Sequence, residues 1–175
     1  MGSNNRPSVP PKLKGLNTVS MYDVEAHVAE IYDQVENYSD DVDLIKTLIG
    51  ERKQLRILEP FCGTGRILIP LALAGHHIVG IDRAQVMLDR AGDKISRLPA
   101  EVQSNVQLFK ADILALEWPE NFSVVILGCN CLYELATAEE QELCISRAAR
   151  SLKPDGYIYL DNNHMESHLA GHGRN

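Results

Sequence analysis

Three acidic residues stand where short apolar runs of the sequence end. Glu59 and Asp82 are the last residues of two such runs, and Asp112 directly follows a third. Short apolar runs of this kind are typical of buried parallel strands, whose carboxyl ends meet at one edge of a sheet. The sequence therefore predicts three carboxylates along one edge. Such an edge repels a pyrophosphate, but it suits a ligand that carries ribose hydroxyls, an adenine amino group or a cation.

A glycine-rich loop follows the first of these acids. Gly63 and Gly65 flank Thr64, and an apolar, helix-like segment comes next. Glycine adopts positive φ easily and leaves room for a ligand near the backbone, and the N–H groups at a helix start attract polar groups. Asp82 lies 23 positions after Glu59, close to the roughly 20-residue offset at which an acid contacts ribose hydroxyls in dinucleotide folds. The loop is therefore predicted to bind a nucleotide-type ligand.

These segments belong to a regular alternation of strands and helices, which predicts an α/β fold with a doubly wound parallel sheet. Right-handed crossovers leave one topology, with strand order 3-2-1-4-5. The predicted strands are 55–59, 77–81, 106–110, 123–127 and 157–161. The predicted helices are 22–38, 39–50, 66–75, 84–98 and 138–152, and a turn is predicted at 154–156.

The chain is predicted to divide into four parts. Residues 1–18 lack a periodic apolar pattern and are expected to be a mobile leader. Residues 19–50 are predicted to form a helical lid, although helix 22–38 could equally cover an edge of the sheet. Residues 51–163 are the predicted ligand-binding core, and residues 164–175 a truncated or flexible tail.

Four short motifs carry a family resemblance. They are Glu-Pro-Phe-Cys-Gly-Thr-Gly at 59–65, Gly-Ile-Asp at 80–82, Ala-Asp-Ile at 111–113 and Leu-Lys-Pro-Asp-Gly at 152–156. With this order and spacing, roughly residues 20–163 resemble class I S-adenosylmethionine-dependent methyltransferases of the small-molecule type. The resemblance implies a Rossmann-like fold and an enzyme that uses S-adenosylmethionine and releases S-adenosylhomocysteine. That family normally adds a sixth and a seventh strand, so the chain is expected to lack the usual last two strands and to be a fragment or to be completed by a partner subunit.

The resemblance also implies roles for individual residues. Glu59 is expected to interact with the methionine amino group, and Asp82 with both ribose hydroxyls. Asp112 is expected to accept a hydrogen bond from the adenine amino group, while the backbone N–H of Ile113 donates to the ring. Arg83 is expected to flank the adenine.

Three further side chains complete the predicted cofactor site. Residues 29–33 are similar to the Ala-Glu-Ile-Tyr-Asp segment of many small-molecule methyltransferases, which implies that Tyr32 helps to close the pocket. Phe61 replaces the first glycine of the usual motif and is expected to narrow the pocket or to pack on neighbouring helices. Met87 is expected in the core or against the adenine. The predicted cofactor-binding residues are Tyr32, Glu59, Phe61, Gly63, Thr64, Gly65, Asp82, Arg83, Met87, Asp112, Ile113, Gly128 and Asn130.

The segment after the fourth strand is where the resemblance places the transferred methyl group. Methyl transfer from a sulfonium depends mainly on proximity and orientation, and it needs a base only when the acceptor arrives protonated. Asn130 is predicted to orient a substrate amine or carboxylate, and Tyr133, with Glu134, to carry out acid–base catalysis. The alternative is a structural turn capped by Asn130.

The acceptor is predicted to be a small molecule with an amine or hydroxyl nucleophile. A net charge of −7 disfavours nucleic acid, and residues 128–133 lack the Asn/Asp-Pro-Pro-Tyr/Phe motif of methyltransferases that act on nucleic-acid bases. The alternatives are a non-catalytic S-adenosylmethionine-binding module or subunit, and a nucleic-acid base methyltransferase. A NAD-dependent oxidoreductase is disfavoured because Phe61 and Leu68 break the Gly-x-Gly-x-x-Gly pattern.

Composition adds expectations about environment and assembly. No apolar stretch reaches the roughly 18 residues needed to span a bilayer, and the N-terminus lacks the apolar core of a signal peptide. A cytoplasmic protein with reduced cysteines and no metal site is therefore predicted. Strand 157–161 would leave an apolar, unpaired edge, which predicts an oligomer through that edge or a tendency to aggregate.

Overall fold

The structure, a computed structural model, describes residues 26–35 and 38–162. The predicted leader 1–18 and tail 164–175 lie outside the described residues. The helices of the described part are α1 (Ala26–Val35), α2 (Asp40–Ile49), α3 (Leu68–Leu73), α4 (Gln85–Ile95), α5 (Ala100–Gln103) and α6 (Ala138–Ser151). Its strands are β1 (Arg56–Glu59), β2 (His77–Asp82), β3 (Val106–Lys110), β4 (Phe122–Leu127) and β5 (Leu152–Leu160).

The strands form one parallel sheet, because each is short, apolar and separated from the next by a helical crossover. Its order is β3-β2-β1-β4-β5, and every neighbouring pair is parallel. In β1, Ile57 pairs with Ile78 on one side and with Val124 on the other. The predicted α/β class and strand order are therefore confirmed.

The core lies on both faces of the sheet, since side chains alternate along each strand. Ile57 belongs to a buried cluster with apolar residues of α2, α3 and α4. The next residue, Leu58, belongs to a second cluster with Trp118 and the α6 residues Cys144 and Ala148. Helices on both faces bury β4 completely and fix the position of β1, whose carboxyl end then opens toward one edge of the sheet.

A local prediction differs from the structure at the start of β5. The turn predicted at 154–156 is part of β5, because Asp155 takes a φ of 65° and the pairing shifts register between Phe122 and Val124. The extra residues are absorbed as an irregularity in the strand and not as a separate turn. After β4, Cys129 and Asn130 also have positive φ and lead into a 3-10 helix.

Among the described residues, none of the helices combines the length and apolar character that crossing a membrane would require. The proposed cytoplasmic location remains a prediction.

Gly80 has no room for a side chain. A Cβ there would lie 2.6 Å from Leu68 Cδ1, 2.9 Å from Cys62 Sγ and 3.0 Å from Leu108 Cδ2. Because this core is closely packed, we expect Gly80→Ala to lower the free energy of unfolding by about 1–3 kcal/mol. Urea denaturation measures the change.

Gly92 is the matched control. It lies in α4 with nothing within 4 Å of its Cβ position, so Gly92→Ala should raise the free energy of unfolding by about 0.5–1 kcal/mol. Equal effects of the two substitutions would contradict the close packing at Gly80.

Candidate functional site

A cavity of about 630 Å³ opens beyond the carboxyl ends of β1, β2 and β4. Gly63 follows β1, Asp82 ends β2 and Gly128 follows β4, and all three line it. Tyr32 of α1 and Asp41 of α2 line the cavity from the helical side. The edge of the sheet at which the sequence places the acids therefore holds a large cavity.

Asp82 organises the glycine loop. Its Oδ2 accepts a hydrogen bond of 2.8 Å from the backbone N–H of Gly63, and its Oδ1 accepts one of 2.8 Å from the N–H of Ala84. Burial raises the pKa of Asp82, although these two hydrogen bonds act in the opposite direction. Each oxygen of a carboxylate has a second lone pair, so Asp82 can still accept from a ligand in the cavity.

Glu59 is buried, with 5% of its surface exposed. Its Oε2 has no hydrogen-bond partner among residues 26–35 and 38–162. Burial raises the pKa of Glu59 well above its usual value, and the charge of Arg66 only partly offsets this. A buried acceptor without a partner costs free energy unless a ligand supplies a donor, so Glu59 fits a cationic or N–H-bearing ligand group.

Arg66 fastens α2 to the site, a contact that the sequence analysis missed. Its two terminal nitrogens donate to both carboxylate oxygens of Asp41, at 2.8 and 2.5 Å. Arg66 also donates to the carbonyl of Tyr38, at 2.9 Å, and contacts the Cys129 sulfur. In the sequence, Asp41 lies near the start of the predicted helix 39–50, and nothing in the local sequence pairs it with a residue 25 positions away.

A second cavity, of about 220 Å³, adjoins the first. The two share Phe61, Asp82 and Arg83 in their walls. Asp112 and Ile113 line the second cavity. The Oδ1 of Asp112 accepts a 2.8 Å hydrogen bond from the N–H of Leu114, and the carboxylate is otherwise exposed.

The opposite end of the large cavity is formed by residues that follow β4 and β5. The backbone N–H of Asn130 donates to Asp161 Oδ1 at 3.2 Å. Asp161 Oδ2 is buried and has no hydrogen-bond partner in the described part of the chain. Burial and the Asp161 charge raise the pKa of Tyr159 to about 12. This end therefore presents a neutral phenol and a carboxylate that can accept a donor.

The predicted site residues fall into three groups. Those that line the large cavity are Tyr32, Phe61, Gly63, Asp82, Arg83, Met87, Gly128 and Asn130. Asp112 and Ile113 line the adjoining cavity. Glu59, Thr64, Gly65 and Tyr133 line neither of them.

Tyr133 is 56% exposed, while its neighbour Glu134 lines both cavities. The geometry does not bring the Tyr133 side chain into the cavity walls, and its catalytic role stays a prediction. Asp41, Tyr159 and Asp161 line the large cavity and were not predicted. Within the described ranges, no group of three His, Cys, Asp or Glu side chains is arranged to hold a metal ion.

Comparison with known proteins supplies the family. A family model described as a methyltransferase domain matches residues 51–174. The chain belongs to this methyltransferase-domain family. The match covers the predicted core 51–163, including the glycine loop and all five strands.

Curated relatives show a similar pattern. The chain is 29% identical over 146 residues to the cypemycin N-terminal methyltransferase of a Streptomyces species, covering 81% of this chain and 56% of that protein. It is 32% identical over 115 residues to the ubiquinone biosynthesis O-methyltransferase of Pseudomonas putida strain GB-1, covering 64% and 47%. The chain spans about half the length of the curated relatives that it matches.

Solved structures share the fold. The CcbJ methyltransferase from Streptomyces caelestis superposes with a TM-score of 0.68 at 25% identity, covering 78% of this chain and 56% of that one. CalS10, an amino pentose methyltransferase from Micromonospora echinaspora, gives 0.64 at 23% identity, covering 82% and 58%. The Rossmann-like architecture is thereby confirmed.

We expect Glu59→Gln to stabilise the ligand-free methyltransferase-domain protein at neutral pH. Because the folded-state pKa of Glu59 is raised, its contribution to stability is fully present below the unfolded-state pKa. That contribution is lost as the pH rises through the folded-state pKa. The substitution removes this loss, so it should raise the free energy of unfolding above that pKa by about 1 kcal/mol.

Urea denaturation between pH 4 and 9 measures the effect. Glu101→Gln is the control, because Glu101 is an exposed acid on α5 and should leave the pH profile unchanged. A parallel profile for wild type and Glu59→Gln would show that Glu59 bears no buried charge in the folded protein.

Proposed function

We propose that the chain binds S-adenosylmethionine and transfers its methyl group to an amine or hydroxyl of a small molecule. The observation that carries the proposal is the Asp82 carboxylate, held by the N–H groups of Gly63 and Ala84 in the wall of the large cavity. Family membership supports it, as do relatives named as an N-terminal and an O-methyltransferase.

The residues fit this cofactor at three points. Asp82 has lone pairs left for two ribose hydroxyls. Glu59 lies behind the walls of both cavities, but its buried Oε2, without a partner in the described segments, suits the ammonium of the methionine part. Asp112 and Ile113, in the adjoining cavity, can meet the adenine. A sheet edge with these acids does not suit a pyrophosphate, which disfavours a dinucleotide.

The reaction requires little acid–base catalysis by the protein. When bound, the cofactor supplies a methyl group on a sulfonium, which an in-line nucleophile takes as the thioether leaves. The protein's part is to hold the acceptor in line and to exclude water. Gly128 and Asn130 line the cavity at the end of β4, and Asn130 is fixed by its N–H bond to Asp161. We assign this segment to acceptor positioning.

An amine acceptor best fits the negative charge of the cavity wall near the ends of β4 and β5. Asp40, Asp41, Glu134 and Asp161 line the cavity, and Arg83 is the one cationic side chain among its described wall residues. A carboxylate or phosphate acceptor would meet repulsion there. Asp161 Oδ2, which has no hydrogen-bond partner among residues 26–35 and 38–162, can accept an N–H of the acceptor and then its proton as the nitrogen gains the methyl group.

We expect Asp82→Asn to weaken binding of S-adenosylhomocysteine by about 2 kcal/mol, roughly 30-fold. The amide keeps the shape, but its NH₂ group faces a backbone N–H donor, so one hydrogen bond at Gly63 or Ala84 is lost. Titration calorimetry measures the change. Asp89→Asn is the control, since Asp89 accepts a hydrogen bond from Gln85 on the exposed surface of α4. Binding of NAD in place of S-adenosylhomocysteine would refute the proposal.

A panel of small amines, phenols and carboxylates tests the acceptor class, with release of S-adenosylhomocysteine as the readout. We expect turnover with amines, and kcat/KM at least about tenfold lower in Asp161→Asn because the proton acceptor is lost. S-Adenosylmethionine binding without turnover of any acceptor would favour a non-catalytic binding module. Preference for carboxylates would contradict the role given to the acidic wall.

A further inference from the structure

Asp33 joins three separate parts of the structure. Its Oδ1 accepts a 2.5 Å hydrogen bond from Thr64 Oγ1 in the glycine loop and one of 2.9 Å from Lys94 Nζ in α4. Its Oδ2 accepts a 2.9 Å bond from Arg90 Nε, one turn earlier in α4. A single carboxylate of α1 thus holds the loop and α4 together; we call these three contacts the clasp.

Among the α1 side chains that the structure describes, residues 29–35, the apolar contact with the rest of the molecule is small. Ala29 is buried with Ala84 and Met87, and Tyr32 packs against this cluster. On the same helix Ile31 is 52% exposed and Val35 66%. A segment with few buried apolar contacts opens easily on its own. To these described apolar contacts the clasp adds three polar contacts that help to orient α1 over the cavity.

The clasp reaches the cavity from two directions. Tyr32, next to Asp33 on α1, lines the cavity. Thr64 is completely buried between Gly63 and Gly65, and the N–H of Gly63 donates to Asp82. A continuous path of bonds thus runs from α1 through Thr64 and the loop backbone to the carboxylate that faces the ligand.

We propose that Asp33 is a positioning residue, which couples the seating of α1 over the cavity to the order of the glycine loop. A ligand that orders the loop then also favours the closed position of α1, and loss of the clasp speeds release of the ligand. The ligand's identity rests on the proposed function, whereas the coupling between α1 and the loop rests on the contacts of Asp33 alone.

The three contacts of the clasp differ in their exposure to water and salt. Thr64 is completely buried, whereas the side chains of Arg90 and Lys94 are 37% and 30% exposed. Salt screens exposed pairs and leaves a buried hydrogen bond largely intact. The Thr64 bond is therefore the contact that transmits order to the loop, and the two cations hold the carboxylate in place for it.

A double-mutant cycle tests the coupling. Thr64→Val removes the hydroxyl at nearly constant shape, and Asp33→Ala removes the carboxylate that accepts the hydrogen bond of this hydroxyl. We expect each to speed dissociation of S-adenosylhomocysteine roughly tenfold, within the range typical of coupled sites. The double variant should be no faster than the worse single one, because both remove the same path. Asp93→Asn, an exposed acid of α4, is the control and should match wild type.

Hydrogen exchange of the amides of residues 29–35 is the second readout, measured with and without S-adenosylhomocysteine. We expect faster exchange in both single variants, and protection by the ligand in wild type that the variants lose. Faster exchange with an unchanged dissociation rate would overturn the proposal, because α1 would then be held but not coupled. Additive effects on the dissociation rate would overturn it too.

The proposed function and the coupling through the clasp can be refuted independently of each other. If wild type binds no S-adenosylhomocysteine, the proposed function is wrong, and exchange in the ligand-free protein decides the clasp. Faster exchange of residues 29–35 in Thr64→Val, whose substitution lies outside α1, would then still support a link between loop and helix. Exchange equal to wild type would refute it.

Discussion

The site depends on the hydrogen bonds that Asp82 accepts from Gly63 and Ala84. These two N–H groups come from the loop after β1 and from the residue before α4, so one carboxylate fixes two neighbouring crossovers. The parallel pairing of Glu59 with Gly80 sets the distance between the strands that carry them. Together with the backbone bond of 3.0 Å that the N–H of Cys62 donates to the carbonyl of Ile81, this interaction fixes the path of the glycine loop beside the cavity.

The same edge of the sheet is electrostatically unfavourable in the absence of a ligand. Burial raises the pKa of Glu59 and of Asp82, and the charge of Asp82 raises the pKa of Glu59 further. Arg66 relieves part of it, yet its bonds go to Asp41. Functional sites commonly retain such costs because a bound ligand relieves them. Glu59 Oε2 and Asp161 Oδ2, which lack a hydrogen-bond partner within the part of the chain that the structure describes, mark where that relief is expected.

The helical side of the cavity is held by two ion-paired contacts of different strength. Arg66 and Asp41 fasten α2 with a bidentate pair in which both side chains are largely buried. Asp33 fastens α1 through partly exposed pairs and the Thr64 hydroxyl. Partly exposed pairs contribute little individually. The ion pairs of α1 are therefore the more exposed of the two contacts, and α1 is the helix that carries Tyr32 to the cavity.

The alternation of apolar runs with helical segments determined the fold class and strand order, because parallel crossovers have one handedness and leave few alternatives. The acids at the strand ends and the glycine loop could also be predicted from the sequence, since their chemistry depends on local spacing. The path after β4, the irregular start of β5 and the partners of Arg66 and Asp33 were decided by the tertiary structure. Each joins residues far apart in sequence, such as Asp33 and Thr64. No local pattern encodes which distant side chain packing will bring within hydrogen-bond distance.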